Sequence, residues 1–106
     1  MPIYREEIFG QCAAVVKFRT EDEALALANA SRYELAGAAF TRHITRAHRI
    51  ARDLEAGMVW VNSSNDSDVR VPFGGVKESG LGRELGEEGS RSYYTTKAVH
   101  VTLTDK

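Results

Sequence analysis

Met58-Val59-Trp60-Val61, entered through Gly57 and left through Asn62, is the stretch on which the fold turns. Four consecutive apolar residues, two of them β-branched, fit a strand buried on both faces, and the flanking pattern decides between that and a piece of helix. Immediately upstream, Ile44, Ala47, Ala51 and Leu54 recur at steps of three and four, with Arg46, Arg49, Arg52 and Asp53 between them. That is an amphipathic helix, expected to stop before Gly57 in a left-handed cap. Further back, Gly37 to Phe40 reads as a short strand. Before it, Thr20-Glu21-Asp22-Glu23 has the spacing of a capping box: the Thr20 hydroxyl accepts from the Glu23 amide while the Glu23 carboxylate reaches back. Ala24, Leu25, Leu27 and Ala28 supply the apolar stripe of a helix over about 21–31. Cys12 to Phe18, bounded by Gly10 and Arg19-Thr20, reads as a further buried strand. The order is β-α-β-α-β, which predicts right-handed crossovers and a parallel-sheet α/β fragment.

Downstream the pattern dissolves. Asn62 to Asp68 is Ser, Asn and Asp; Pro72-Phe73-Gly74-Gly75 and Gly80-Leu81-Gly82 keep the chain irregular. Glu84 to Tyr93 holds a short helix weakened by Gly86 and Gly89, and His100-Val101-Thr102-Leu103 closes the chain as a strand without an evident partner.

Composition excludes several classes of function. Lys and Arg total 14 against 15 Asp and Glu, so no positive field is available for a nucleic-acid backbone. No run approaches the roughly 18–20 apolar residues of a membrane span, and Met1 to Glu7 lacks the pattern of a signal peptide. One cysteine, Cys12, forms no internal disulfide, and a cytoplasmic setting is expected. A length of 106 residues allows one modest core, not a cofactor domain beside a separate catalytic one.

Few residues suggest chemistry on their own. His43 and His48 lie about 140° apart around a helix, and Cys12 and His100 have no metal-ligand spacing, so no metal site is expected. Gly80 to Gly86 is one residue too long for a dinucleotide fingerprint, and Gly74 to Ser79 lacks phosphate-loop spacing. Both read better as turns needing positive φ or close backbone approach. Cys12 has no charged neighbour or helix N-terminus to depress its pKa and reads as a small hydrophobe. Glu6 and Glu7 precede the first strand; such a pair is either a solvated strand entry or an acceptor of sugar hydroxyls, and pattern leaves both open.

Four blocks in order resemble the C-terminal portion of the aldehyde dehydrogenase superfamily: Glu6-Glu7-Ile8-Phe9-Gly10, Gly57 to Asn62, Pro72 to Gly80, and Gly82 to Gly86. Ala28 to Tyr33 and Ala38 to Thr41 fit the same family, and the 62–68 loop most resembles cytosolic fungal members. The resemblance implies a partial catalytic domain over residues 1–95 and an oligomerisation strand and tail over 96–106. It implies that Glu7 binds the nicotinamide ribose of NAD or NADP, with Phe9 beside the nicotinamide. By the same resemblance Phe73 lines the aldehyde tunnel, Asn65, Asp66 and Ser67 form its mouth, and Lys97 to Leu103 crosses to another subunit in a homo- or hetero-oligomer.

The family's nucleophilic thiolate, general base, oxyanion amide and most of its dinucleotide domain correspond to nothing in these 106 residues, and Cys12 does not match the catalytic cysteine. No catalytic residue is therefore assigned, no tight cofactor binding is expected of the chain alone, and Met1 is expected to be an inherited internal residue. Further departures are Gln11 for a usual Pro, Glu34 for Gly, His43 for a helix-capping Asp, and Ser90 for Leu. A left-handed conformation at 34 would cost roughly 1 kcal/mol, and the lost cap at 43 about 1 kcal/mol. The leading expectation is a truncated relative or C-terminal piece of an NAD(P)-dependent aldehyde dehydrogenase, inactive alone. Alternatives are a non-catalytic interaction module, a remnant, and a secondary-metabolite pathway oxidoreductase.

Overall fold

The computed structural model describes residues 2–104. In chain order the elements are α1 (Pro2–Arg5), α2 (Glu21–Asn29), β1 (Tyr33–Glu34), β2 (Ala36–Ala39), α3 (Ile44–Asp53), β3 (Met58–Val61), β4 (Val76–Lys77), α4 (Gly86–Ser90) and a 3₁₀ turn at Arg91–Tyr93. The centre is β2-α3-β3: β2 and β3 pair in parallel with Ala36 opposite Met58 and Ala39 opposite Val61. A parallel pair needs a crossover, and α3 supplies it, burying Ala47. Asn62 finishes the unit at φ 60°, its amide donating to Ala39 O (2.8 Å) while its Oδ1 accepts from the Thr41 amide (2.8 Å).

Helix α2 starts on Thr20, whose Oγ1 accepts from the Glu23 amide at 3.1 Å. The Glu23 carboxylate reaches back one residue further than a capping box requires, to the Arg19 amide at 2.8 Å. At the other end Asn29 ties α2 to α3, donating to Asp53 O (2.9 Å) and accepting from the Glu55 amide (3.0 Å). Helix α3 begins at His43, which makes no side-chain cap; the His43 amide donates instead to Thr41 Oγ1.

Several expectations fail, each for a stated reason. Among the described residues Cys12 to Phe18 belongs to no strand, and Val15 is 92% exposed. An extended segment becomes a strand only against a partner edge, so the expected β-α-β-α-β sheet is reduced to one parallel pair. The 100–103 segment is likewise unpaired and exposed. Gly57 has no left-handed φ, because α3 leaves through an extended Leu54; its missing side chain instead admits the Gly74 backbone. Glu34 also avoids positive φ and lies in β1, pairing antiparallel with β4, a ribbon too short to show in periodicity. The backbone strain falls across that ribbon at Lys77, φ 52°.

Ala47 is the buried apolar side chain, while Val15, Phe18, Phe40, Val99, Val101 and Leu103 are among many exposed ones. The Cα radius of gyration is 20.1 Å, against about 13 Å for a compact domain of this length. Extents of 79 × 34 × 24 Å describe a β-α-β body with extended arms. Among the described residues no helix is long and apolar enough to cross a membrane.

Candidate functional site

Strand β3 delivers Met58, Val59 and Trp60 to one side of an open depression of about 580 Å³. The loop after β3 brings Asp66, Ser67 and Asp68, and the glycine-rich return brings Val71, Pro72 and Phe73, with Leu85 closing the rim. The Trp60 indole N–H donates to the Asp66 main-chain oxygen at 2.7 Å, pinning the loop to the strand. Phe73 is held by a two-bond bridge: its amide donates to Glu84 O (2.7 Å) and its carbonyl accepts from the Glu84 amide (2.8 Å). The Gly86 amide donates to Val69 O (2.9 Å), closing the return on the loop.

Glycine is required around this frame. Gly82 and Gly86 take φ of 81° and 57°, and a Cβ at Gly74 would lie 2.7 Å from Gly82 O. The Arg83 guanidinium holds the same turn by donating to Gly75 O and Gly82 O, each at 2.7 Å. Asp68 is engaged by Arg70, whose Nε and Nη2 reach its two oxygens at 2.9 and 2.5 Å. The Arg70 side chain, aided by its amide, holds the Asp68 carboxyl below the usual aspartate range.

Of the sequence-derived site residues, Asp66, Ser67 and Phe73 share this depression. Asn65 does not line it; the residue turns the loop at φ 62°. Glu7 and Phe9 lie elsewhere, exposed on the segment before residue 12, with Phe9 97% exposed. They offer an acceptor-only carboxylate and an exposed ring face. No group of three or more His, Cys, Asp or Glu comes together among the described residues.

Sequence reasoning read Trp60 as a buried strand residue and missed its place at the depression. A tryptophan near the end of a strand that runs into a Ser/Asn/Asp loop was the available signal. It also missed a knot behind the site. Lys77 Nζ donates to Asn29 O (2.8 Å), Ser31 O (3.3 Å) and Glu34 Oε1 (3.2 Å), and pairs with Glu55 Oε2 (2.7 Å). Glu34 is 6% exposed there, with its amide donating to Ser79 Oγ at 2.9 Å. The hydrogen bond to Glu55 and then that to Glu34 hold the Lys77 ammonium above its usual pKa, against partial burial.

Residues 1–99 match the model of the aldehyde dehydrogenase family. A Saccharomyces cerevisiae protein named aldehyde dehydrogenase [NAD(P)+] 1 is 55% identical over 96% of this chain and 20% of its own length. Among solved structures, a Staphylococcus aureus betaine aldehyde dehydrogenase in complex with NAD+ superposes with a TM-score of 0.85 and 48% identity, over 88% of this chain and 18% of that one. An NAD-dependent aldehyde dehydrogenase from Sinorhizobium meliloti gives a TM-score of 0.89 and 42% identity, over all of this chain and 22% of its own. The chain thus spans about a fifth of the relatives it matches. Within that span it belongs to the aldehyde dehydrogenase family.

Proposed function

We propose that these residues are the C-terminal piece of an NAD(P)-dependent aldehyde dehydrogenase, oxidising aldehydes to carboxylic acids only when completed by the rest of that fold. Residues 1–95 form part of the catalytic domain and 96–106 the oligomerisation strand and tail, of which residues 1, 105 and 106 lie outside the described residues. The observation that carries this reading is the open depression, which Trp60, Asp66, Ser67 and Phe73 line and in whose lining no cysteine stands. Asn65, Asp66, Ser67 and Phe73 serve as the entrance for the aldehyde. Glu7 accepts hydrogen bonds from the nicotinamide ribose and Phe9 stands beside the ring. NAD or NADP supplies hydride acceptance when bound to the completed fold; this chain's share is to hold and orient. Among the described residues β2 and β3 pair only with each other, and the edges left free support completion by the rest of such a fold. A cytoplasmic location accords with the single unpaired cysteine.

The test is a hybrid in which residues 1–106 replace the matching segment of the Saccharomyces cerevisiae relative. The hybrid should form NADH or NADPH from simple aldehydes, and the purified 106-residue chain should form none. A folded but inactive hybrid, or aldehyde oxidation by the chain alone, would reject the reading.

A second reading is a non-catalytic module that lends its terminal strand to a full-length homologue. It is favoured by the unpaired segment after Tyr94, where Val99, Val101 and Leu103 alternate with His100 and Thr102, all exposed. Co-expression with the homologue should give mixed oligomers; separate species on size exclusion would count against it.

A further inference from the structure

Several bonds tie the glycine-rich return to itself: Phe73 to Glu84 through their main chains, and the Arg83 guanidinium to Gly75 O and Gly82 O. Its anchor on the rest of the fold runs through β4. There Lys77 Nζ is caged by four oxygens drawn from three other stretches. Asn29 O and Ser31 O stand at and just beyond the end of α2 (2.8 and 3.3 Å), Glu34 Oε1 in β1 (3.2 Å) and Glu55 Oε2 after α3 (2.7 Å). One ammonium, with three N–H donors, thus joins β4 to β1 and to the ends of both helices. The β1–β4 ladder gives little help, being two residues long with Tyr33 opposite Lys77 and Glu34 opposite Val76. At the same residue the backbone lies at φ 52°, a left-handed conformation that a lysine keeps only where its surroundings impose it. The cage imposes it, with the Glu34 side of the cage buried. Arg32 and Glu78 also pair on this ribbon, but both face solvent and hold it far less. Between Lys77 and Phe73 stand Gly74, Gly75 and Val76. The two glycines carry no side chain to fix a direction, so the chain leaving Phe73 follows the point at which Lys77 fastens it.

We propose that Lys77 is a positioning residue for the aldehyde entrance: the four-oxygen cage around its ammonium fixes β4, and β4 fixes where the Phe73 ring stands in the depression it shares with Trp60. The inference rests on the entrance role given above and adds the residue that sets the shape of that entrance. Lys77 itself is outside the lining of the depression, so its effect on an aldehyde passes through Phe73. Removing the ammonium should loosen the wall and weaken aldehyde binding, while the chemical step, carried elsewhere in the completed fold, changes little.

Trp60 is the sole tryptophan of the chain, so its emission reports on the depression without any turnover. In the purified chain, Lys77→Ala should move that emission to longer wavelength. Propylammonium chloride, which returns the side-chain fragment removed, should move it back, whereas sodium chloride at the same ionic strength should not. Lys77→Gly, which relieves the positive φ without replacing the ammonium, should stay shifted like Lys77→Ala. Arg32→Ala, which breaks the exposed pair on the same ribbon, should keep the parent emission. An unshifted Lys77→Ala, a shift that propylammonium leaves in place or that sodium reverses equally, a Lys77→Gly that matches the parent, or an Arg32→Ala that shifts as far as Lys77→Ala would each overturn the proposal. In the hybrid enzyme, Lys77→Ala should raise KM for the aldehyde about tenfold, the scale of a hydrogen bond to a charged group, with kcat and KM for NAD little changed. A hybrid variant whose kcat falls while its aldehyde KM stays at the parent value sinks this inference and leaves the entrance role standing. A parent hybrid that oxidises no aldehyde sinks the entrance role itself, an outcome the Trp60 readings tell apart because they need no turnover.

Discussion

Gly57 and Gly74 meet backbone to backbone: a Cβ on Gly57 would overlap the Gly74 carbonyl oxygen and lie 2.9 Å from both Gly74 C and Gly75 Cα. This contact seats the glycine-rich return against the start of β3 and so sets where Phe73 stands relative to Trp60. Gly57→Ala should therefore destabilise the chain by about 1–3 kcal/mol, the usual cost of forcing extra atoms into a packed contact. Gly10→Ala, whose added Cβ would meet only Ile8 at 3.7 Å, should change little. Thermal melts by circular dichroism of both variants check the contrast.

Lys77 has four oxygen partners, and Glu34 sits buried against it. Lys77→Met strands the Glu34 carboxylate, so it should lower the melting temperature more than Lys77→Met combined with Glu34→Gln. The pH dependence follows from the raised Lys77 pKa. Its contribution is fully present below the ordinary lysine value of 10.5 and is lost as pH rises through the higher folded value. An alkaline loss of stability present in the parent chain and missing from Lys77→Met, followed by melts across pH, is the expected result.

Glu21 joins the two helices by pairing with Arg49 (2.5 Å) and Arg46 (2.8 Å). Arg49 chiefly, and then Arg46, lower its pKa below the ordinary 4.5. A depressed carboxylate stabilises above its unfolded pKa, so this contribution should fade as pH falls from 4.5 through the lower folded value. Glu21→Gln should flatten that part of the acid limb, and salt should weaken the parent's advantage because the pair faces solvent.

His43 occupies the N-cap of α3 without capping it. His43→Asp should add about 1 kcal/mol of stability by accepting from a first-turn amide and by favouring the positive helix end. Thr20→Ala, which removes the existing cap of α2, should subtract about 1 kcal/mol. Urea titrations with unchanged slope would measure both.

In the hybrid enzyme, Glu7→Gln should raise KM for NAD by about 10- to 100-fold with a smaller change in kcat, the scale of losing a hydrogen bond to a charged group. Steady-state kinetics at fixed aldehyde decide it; an unchanged KM would remove Glu7 from the ribose contact.

The legible parts of the fold were those whose cause is local. Thr20 capping α2, the three-and-four spacing behind α3 and the apolar run of β3 each need only neighbours in sequence, and each element begins where expected, although α3 ends at Asp53 rather than just before Gly57. The 12–18 segment was misread because apolar, β-branched residues license a strand without providing the edge on which one forms. Glu34 was expected to pay for a missing glycine, yet β1 gives it an ordinary extended backbone and the strain appears at Lys77. Within the depression, Asp66, Ser67 and Phe73 were named through family likeness, whereas Trp60 joined them only through the Asp66 main-chain oxygen it binds.

Sequence alone determined α2, the parallel β2-α3-β3 unit and the family, because hydrophobic period, capping residues and block order are properties of adjacent positions. Tertiary structure alone decided which segments find strand partners, why Gly57 is glycine, that Lys77 and Glu34 interlock across 43 positions, and that Asp66 lines one depression with Trp60 and Phe73. Those outcomes depend on which surfaces the folded chain brings within a few ångströms of each other, and spacing along the chain does not encode that distance.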